Sequence, residues 1–262
     1  MLNSFWSTYL QGFFVVMVML TIVWIASVRL VNAGIVDPFW GLGFVLVNAF
    51  YFLNTPSENL RKWMLLALVS IWGLRLFVYL WWRNWGKPED YRYAQFRQKY
   101  GATRYWWFSF FQVFLLQGIL LWMISAPLFA VNYNTENTTL NVWDALAILC
   151  WIIGFAFEAG GDYQLVKFKS NPANKGKVLN TGFWRFTRHP NYFGDACVWW
   201  GFACFSLATQ SYWPILGSLL MTFLLVKVSG VALLEKALKT NKPQYDEYIR
   251  KTSSFFPWFP KK

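Results

Sequence analysis

Seven stretches of this chain are apolar over the length a helix needs to cross a bilayer, and that feature narrows the fold more than any other. A hydrocarbon core of ~30 Å takes about 20 residues at 1.5 Å of rise each. Residues 5–28, 36–54, 63–83, 106–131, 141–161, 191–209 and 212–234 meet or approach that length. The expected fold is therefore all-α: a polytopic integral membrane protein of about seven transmembrane helices, forming a single domain over 1–262. Composition agrees, with 56% hydrophobic, 22% aromatic and 14% charged residues, against about 25% charged in soluble domains. The aromatic excess suits bilayer interfaces and apolar cavities.

The formal charge of +12 comes from 24 Lys and Arg against 12 Asp and Glu. In a soluble domain that balance would point to nucleic acid, but here the charges sit in connections between apolar runs, so no nucleic-acid partner is expected. Three segments are basic: 83–104, 167–188 and the tail from Lys236 to Lys262. The connection between spans four and five carries Glu136 and no cation. Because cytoplasmic loops collect Lys and Arg, the N-terminus is expected outside and the C-terminus in the cytoplasm. Arg61 and Lys62, after Pro56, run against this rule as two loop charges facing outward. The apolar start lacks a basic leader and a cleavage signal, and is read as a retained first helix.

Ionisable residues inside spans are costly and mark candidate sites. Asp37, Arg75, Glu158, Asp162, Asp195, Lys227 and Glu235 are of this kind. Structural pairing, for example Arg75 with Asp37 or Lys227 with Asp195, is the alternative to a catalytic use. The densest polar constellation runs from Gly182 to Asp195 and holds the only histidine, His189, with Arg185, Arg188 and Asn191. Pro190 suits the first turn of a helix, whose free N–H groups receive anions, and the two arginines add charge-assisted donors. No GxGxxG or GxxxxGK[ST] occurs, so helix ends and cytoplasmic loops must hold any nucleotide. Cys150, Cys197 and Cys204 have neither disulfide nor zinc spacing, and no metal site is expected. Asn137-Thr138-Thr139 is a formal glycosylation sequon on the side expected to face outward.

Several motifs resemble the membrane-bound steroid 5α-reductase family, especially its bacterial branch: Asp37-Pro38-Phe39-Trp40-Gly41, Glu89 to Tyr93, Phe157-Glu158 with Asp162 to Leu165, Thr187 to Gly194, Trp199-Trp200-Gly201, Leu233 to Lys236, and Thr252 to Pro257. Residues 157–262 carry the most specific part. The resemblance implies seven helices around a cavity, NADPH entering from the cytoplasmic side, and a lipophilic, steroid-like substrate drawn from the bilayer. It carries cofactor contacts to Asn191, Asp195, Asp162 and Tyr163, with Lys169, Arg185, Arg188, His189, Tyr192, Glu235 and Tyr245 as further cofactor residues. It implies an oxidoreductase that delivers hydride to the β-carbon of an enone while hydrogen-bond donors stabilise the enolate. Asp37 is the candidate acid. Aligning the third helices through Phe77-Val78-Tyr79 puts Trp72 where the family's tyrosine is expected, and an indole donates a hydrogen bond without relaying a proton. The expected localisation is multi-pass in a membrane, the inner one if the source is bacterial, with lipids and no obligate protein partner.

Arg188-His189-Pro190-Asn191-Tyr192 is also similar to a motif of isoprenylcysteine carboxyl methyltransferases, which use S-adenosylmethionine. A membrane methyltransferase is thus the alternative, and a non-catalytic scaffold or transporter the third class.

Overall fold

The computed structural model describes residues 4–55, 58–136, 139–228, 231 and 245–261, and among them every regular element is helical. By its internal contacts the chain divides into two compact units, Met1–Thr139 and Leu140–Lys262.

The first unit begins with α1 (Phe5–Leu30), opened by Ser4, whose hydroxyl accepts from the Ser7 amide at 3.3 Å. It closes at Val31 in the left-handed region (φ 53°), an uncommon conformation for a β-branched residue. Two bonds hold that turn: Val31 N to Val28 O, and Asn32 N to Ser27 O. The Asn32 side chain then accepts from Gly34 N at 2.9 Å and starts a 3₁₀ turn, Ala33–Val36. Helices α2 (Phe39–Asn54) and α3 (Leu60–Asn84) meet at two glycines. A Cβ on Gly41 would fall 2.4 Å from the Gly73 carbonyl oxygen, and one on Gly73 would fall 2.6 Å from that of Gly41. Backbones this close are what small residues at a helix crossing permit.

The basic segment after α3 folds as α4 (Tyr91–Tyr100), capped by Asp90, whose carboxylate accepts from Arg92 N at 3.0 Å. The fourth apolar run is broken rather than continuous. It comprises α5 (Ala102–Ser109), a π-turn (Phe110–Leu115), α6 (Leu116–Ile124) and α7 (Ala126–Tyr133). Ser125 marks the step between α6 and α7, its hydroxyl donating to the Trp122 carbonyl at 2.7 Å, and Pro127 follows without an N–H to donate.

The second unit is built on α8 (Val142–Ser170), opened by a reciprocal cap between Asn141 and Asp144, and α10 (Pro190–Ala208). They run antiparallel, since Ala147 lies opposite Gly201, Gly154 opposite Gly194, and Gly161 opposite Pro190. A Cβ on Gly194 would sit 2.4 Å from both Glu158 N and Gly154 O. The remaining elements are the short α9 (Phe183–Phe186), α11 (Ile215–Phe223) continuing as a π-turn over Leu224–Val228, and α12 (Tyr245–Lys251).

Among the described residues, five helical stretches are long and apolar enough to cross a membrane: Phe5–Leu30, Ala33–Asn54, Leu60–Asn84, Ala102–Ile124 and Val142–Ser170. Along α1 an exposed ridge of Trp6, Leu10, Phe14, Val18, Ile22 and Ile25 repeats every three to four residues, an outward apolar face suited to lipid. These features mark a multi-pass membrane protein. The sixth expected span is helical but falls short of that measure, and of the seventh the described residues 215–228 are helical, while 229, 230 and 232–234 lie outside the described residues. The first turns of α10 carry Asn191 and Asp195, which lower its hydropathy.

Two expectations need correction. Arg61 and Lys62 are not loop charges; they lie in the first turn of α3, 0% and 4% exposed. Arg61 donates to the Thr139 carbonyl at 2.8 Å and Lys62 Nζ to that of Thr55 at 3.0 Å, so neutral backbone oxygens accept cations that hydropathy alone leaves in solvent. The fifth run also extends beyond residue 161, because α8 continues on polar residues to Ser170.

Candidate functional site

In the second unit, α8 turns Glu158 and Asp162, one helical turn apart, inward beside Gly154 and Gly161; both are 3% exposed. Pro190 at the first position of α10 packs on Gly161. That seating brings the Asn191 amide to Asp162, Nδ2 donating to Oδ1 at 3.2 Å. The His189 ring stacks on Tyr192, with centroids 5.7 Å apart and planes at 13°.

The residues just before α10 are tied to the chain's end. Thr187 Oγ1 donates to Phe255 O at 2.9 Å and accepts from His189 N at 3.3 Å. Arg188 N donates to Ser253 O at 2.9 Å, while its guanidinium donates to Ile249 O at 3.1 Å and to Thr252 O. The Tyr248 hydroxyl donates to Trp184 O, and burial pushes that hydroxyl above the usual phenol range. Trp184 in turn donates from its indole to Gly161 O at 3.0 Å. Beside this knot opens a cleft of about 510 Å³ whose lining includes Asn180, Thr181, Arg185, Glu247, Tyr248 and Lys251. Its volume falls in the range of small-molecule sites.

The first unit holds a separate polar centre. Asp37, between the 3₁₀ turn and α2, accepts from the Tyr93 hydroxyl at 2.7 Å through Oδ1 and from Arg92 at 3.2 Å through Oδ2. Arg92 also binds Asp90 at 2.9 Å. Gln117 donates to the Tyr93 hydroxyl at 3.3 Å and accepts from the Trp40 indole at 2.6 Å, completing a chain across α2, α4 and α6. Burial first, then the Asp37 carboxylate, push the Tyr93 hydroxyl well above the phenol range. Burial opposes the charge of Asp90, but its hydrogen bonds and ion pair with Arg92 outweigh it and hold the carboxyl below the usual range. A second pair, Glu89 with Arg97 at 2.8 Å, anchors the other end of α4 and accepts from Ala33 N at 2.7 Å.

A family model described as a protein of unknown function, DUF1295, matches residues 23–252. The chain belongs to the DUF1295 family. The match runs through both units, so this DUF1295 member carries the Asp37 centre and the α8–α10 junction inside the family region. An uncharacterized protein of Schizosaccharomyces pombe is 26% identical over 95% of this chain and 79% of its own length. A probable O-methyltransferase, ustE, of Ustilaginoidea virens is 28% identical over 53% of this chain and 44% of its own. No solved structure matches.

Of the residues singled out in sequence, this DUF1295 fold brings together Asp162, Asn191, His189 and Tyr192, with Asp195 one turn further along α10. Tyr245 is buried on α12. Arg185 is exposed and lines the cleft, but Arg188, expected beside it as an anion donor, is buried and committed to carbonyls of the tail. Tyr163, at 66%, and Lys169 are exposed on α8. Trp72 is fully buried against Phe44 in the first unit. The expected Arg75 partner for Asp37 is replaced by Arg92 and Tyr93; Arg75 lies over the Tyr79 ring. Glu235 and the sequon residues Asn137 and Thr138 lie outside the described residues. Sequence reasoning missed Tyr93, Gln117 and the cleft residues Asn180, Thr181 and Lys251. Tyr93 alone had a signal, the Glu89 to Tyr93 motif.

Proposed function

We propose that this DUF1295 member is a membrane reductase that uses NADPH to saturate the conjugated double bond of a lipophilic enone, a 3-oxo-Δ4-steroid being the concrete form. The observation that carries this reading is the cationic cleft of the second unit. Arg185 lines it with the neutral donors Asn180 and Thr181, and Lys251 pairs there with Glu247 at 2.9 Å, so the described lining keeps a net positive charge centred on Arg185. Such a lining suits the phosphates of an anionic dinucleotide better than a sulfonium cofactor. The Asn191–Asp162 pair offers an amide and a carboxylate, suited to a carboxamide or a ribose hydroxyl. Bound there, NADPH supplies hydride.

Tail residues serve the reading indirectly. Arg188 and Tyr248 fix the wall of the cleft by holding the tail and Trp184 in place. In the first unit, Asp37 is the acidic group assigned to catalysis, with Tyr93 and Arg92 setting its orientation. Seven spans, with the basic segments and the C-terminus in the cytoplasm, belong to the same proposal and put the cleft on the side where NADPH is found.

The relative named as a probable O-methyltransferase favours a second reading, an S-adenosylmethionine-dependent membrane methyltransferase. Calorimetric titration of the detergent-purified protein separates the two. NADPH binding, with oxidation of NADPH on adding progesterone or testosterone, is the expected result. Binding of S-adenosylmethionine with no response to NADPH would overturn the reductase reading.

A further inference from the structure

The stretch from the end of α3 to the start of α5 carries six cations against two acids: Arg83, Lys87, Arg92, Arg97, Lys99 and Arg104, with Glu89 and Asp90. Both acids are spent internally, Glu89 on Arg97 and Asp90 on Arg92, which also reaches Asp37. These pairs clamp α4 at both ends and turn Tyr93 inward at 6% exposure. Arg83, Lys87, Lys99 and Arg104 form no ion pair with a carboxylate among the described residues, and the last three are exposed. Close to them in the chain, exposed indoles stand at the ends of two membrane-length helices: Trp82 (61%), Trp85 (71%) and Trp106 (51%). Indole rings favour the headgroup level of a bilayer, so this stretch meets phosphates where they are densest.

We infer that Arg83, Lys87, Lys99 and Arg104 form a binding surface for anionic phospholipid headgroups, with α4 as its rigid floor. Charge complementarity selects the occupant: Glu89 and Asp90 are taken up by Arg97 and Arg92, leaving a net cationic rim beside an aromatic collar. Each Lys or Arg near an anionic membrane surface contributes about fivefold in binding. The surface does not rest on the enzymatic reading, since none of its four cations forms a hydrogen bond or ion pair with Asp37 or lines the cleft.

The test is native mass spectrometry of the full-length protein released from nanodiscs of equimolar phosphatidylcholine and phosphatidylglycerol. The wild type should retain phosphatidylglycerol in a clear excess, and Arg83→Gln, Lys87→Gln, Lys99→Gln and Arg104→Gln combined should bring retention of the two lipids close to parity. Equal retention of the two lipids by the wild type, or an undiminished excess in the variant, overturns the inference. A second measurement needs no variant: raising salt during nanodisc assembly must lower the wild-type excess, because screening weakens surface attraction. An excess indifferent to salt also overturns it.

Discussion

Around α4 in the first unit, largely buried charges meet opposite charges. Asp37, Asp90 and Glu89 are matched by Arg92 and Arg97, with side chains between 11% and 36% exposed, and the result is a closed ionic centre. The second unit treats two neighbouring arginines differently. Arg188 sinks to 7% exposure and is held by carbonyls of the tail, whereas Arg185, three residues earlier, stays in solvent at the edge of a cleft. Carbonyls thus make Arg188 a tie between the α10 entry and the tail, while Arg185 stays exposed at the cleft.

The largest effect that would break this comparison is Arg188→Met. Removing the guanidinium strands buried carbonyls of Ile249 and Thr252 and should cost about 3 kcal/mol, read as a lower melting temperature in detergent and earlier proteolysis of the tail. A melting temperature equal to wild type would show that Arg188 does not anchor the tail. Arg185→Ala sharpens the same contrast, because it should leave melting unchanged and weaken NADPH binding by about tenfold, or ~1.4 kcal/mol. Next comes Asp37→Asn, which loses a largely buried ion pair worth about 1 kcal/mol while sparing cofactor affinity. Turnover should fall by far more than affinity, and unchanged turnover would remove Asp37 from the chemistry.

The smallest effect is one of pH. Asp90 titrates below its unfolded value of about 3.9, so its contribution is complete above about pH 4 and is lost as pH falls through the lower folded value. Asp90→Asn should flatten that acid limb of the melting profile; an unchanged limb would assign the acid sensitivity to another group.

Hydropathy located the helices of both units well, because apolar length is a local property. It missed the break in the fourth run, where Gln112 and Ser125 sit among residues apolar enough to hide a π-turn and a helix step. It also read α4 as a loop, since the helix is amphipathic over only ten residues and its orientation depends on Asp37, far away in sequence. The Gly182 to Asp195 constellation stood out in the sequence because its polar residues are dense. The separate fates of Arg185 and Arg188 did not, because they are decided by backbone atoms some sixty residues later. Side chains advertise chemistry in a sequence, while carbonyl acceptors are anonymous there.

The π-turn at Phe110–Leu115 is in effect an insertion recorded in the backbone. A π-turn takes up one residue more than an α-turn, so everything after it is rotated by about 100° relative to an uninterrupted helix. Excising one residue from that turn would let the helix run regular and would carry Gln117 roughly a quarter of a revolution away from Trp40 and Tyr93. In this family, single-residue gaps aligned to this turn therefore deserve to be read as switches of which face a helix offers, not as neutral trimming.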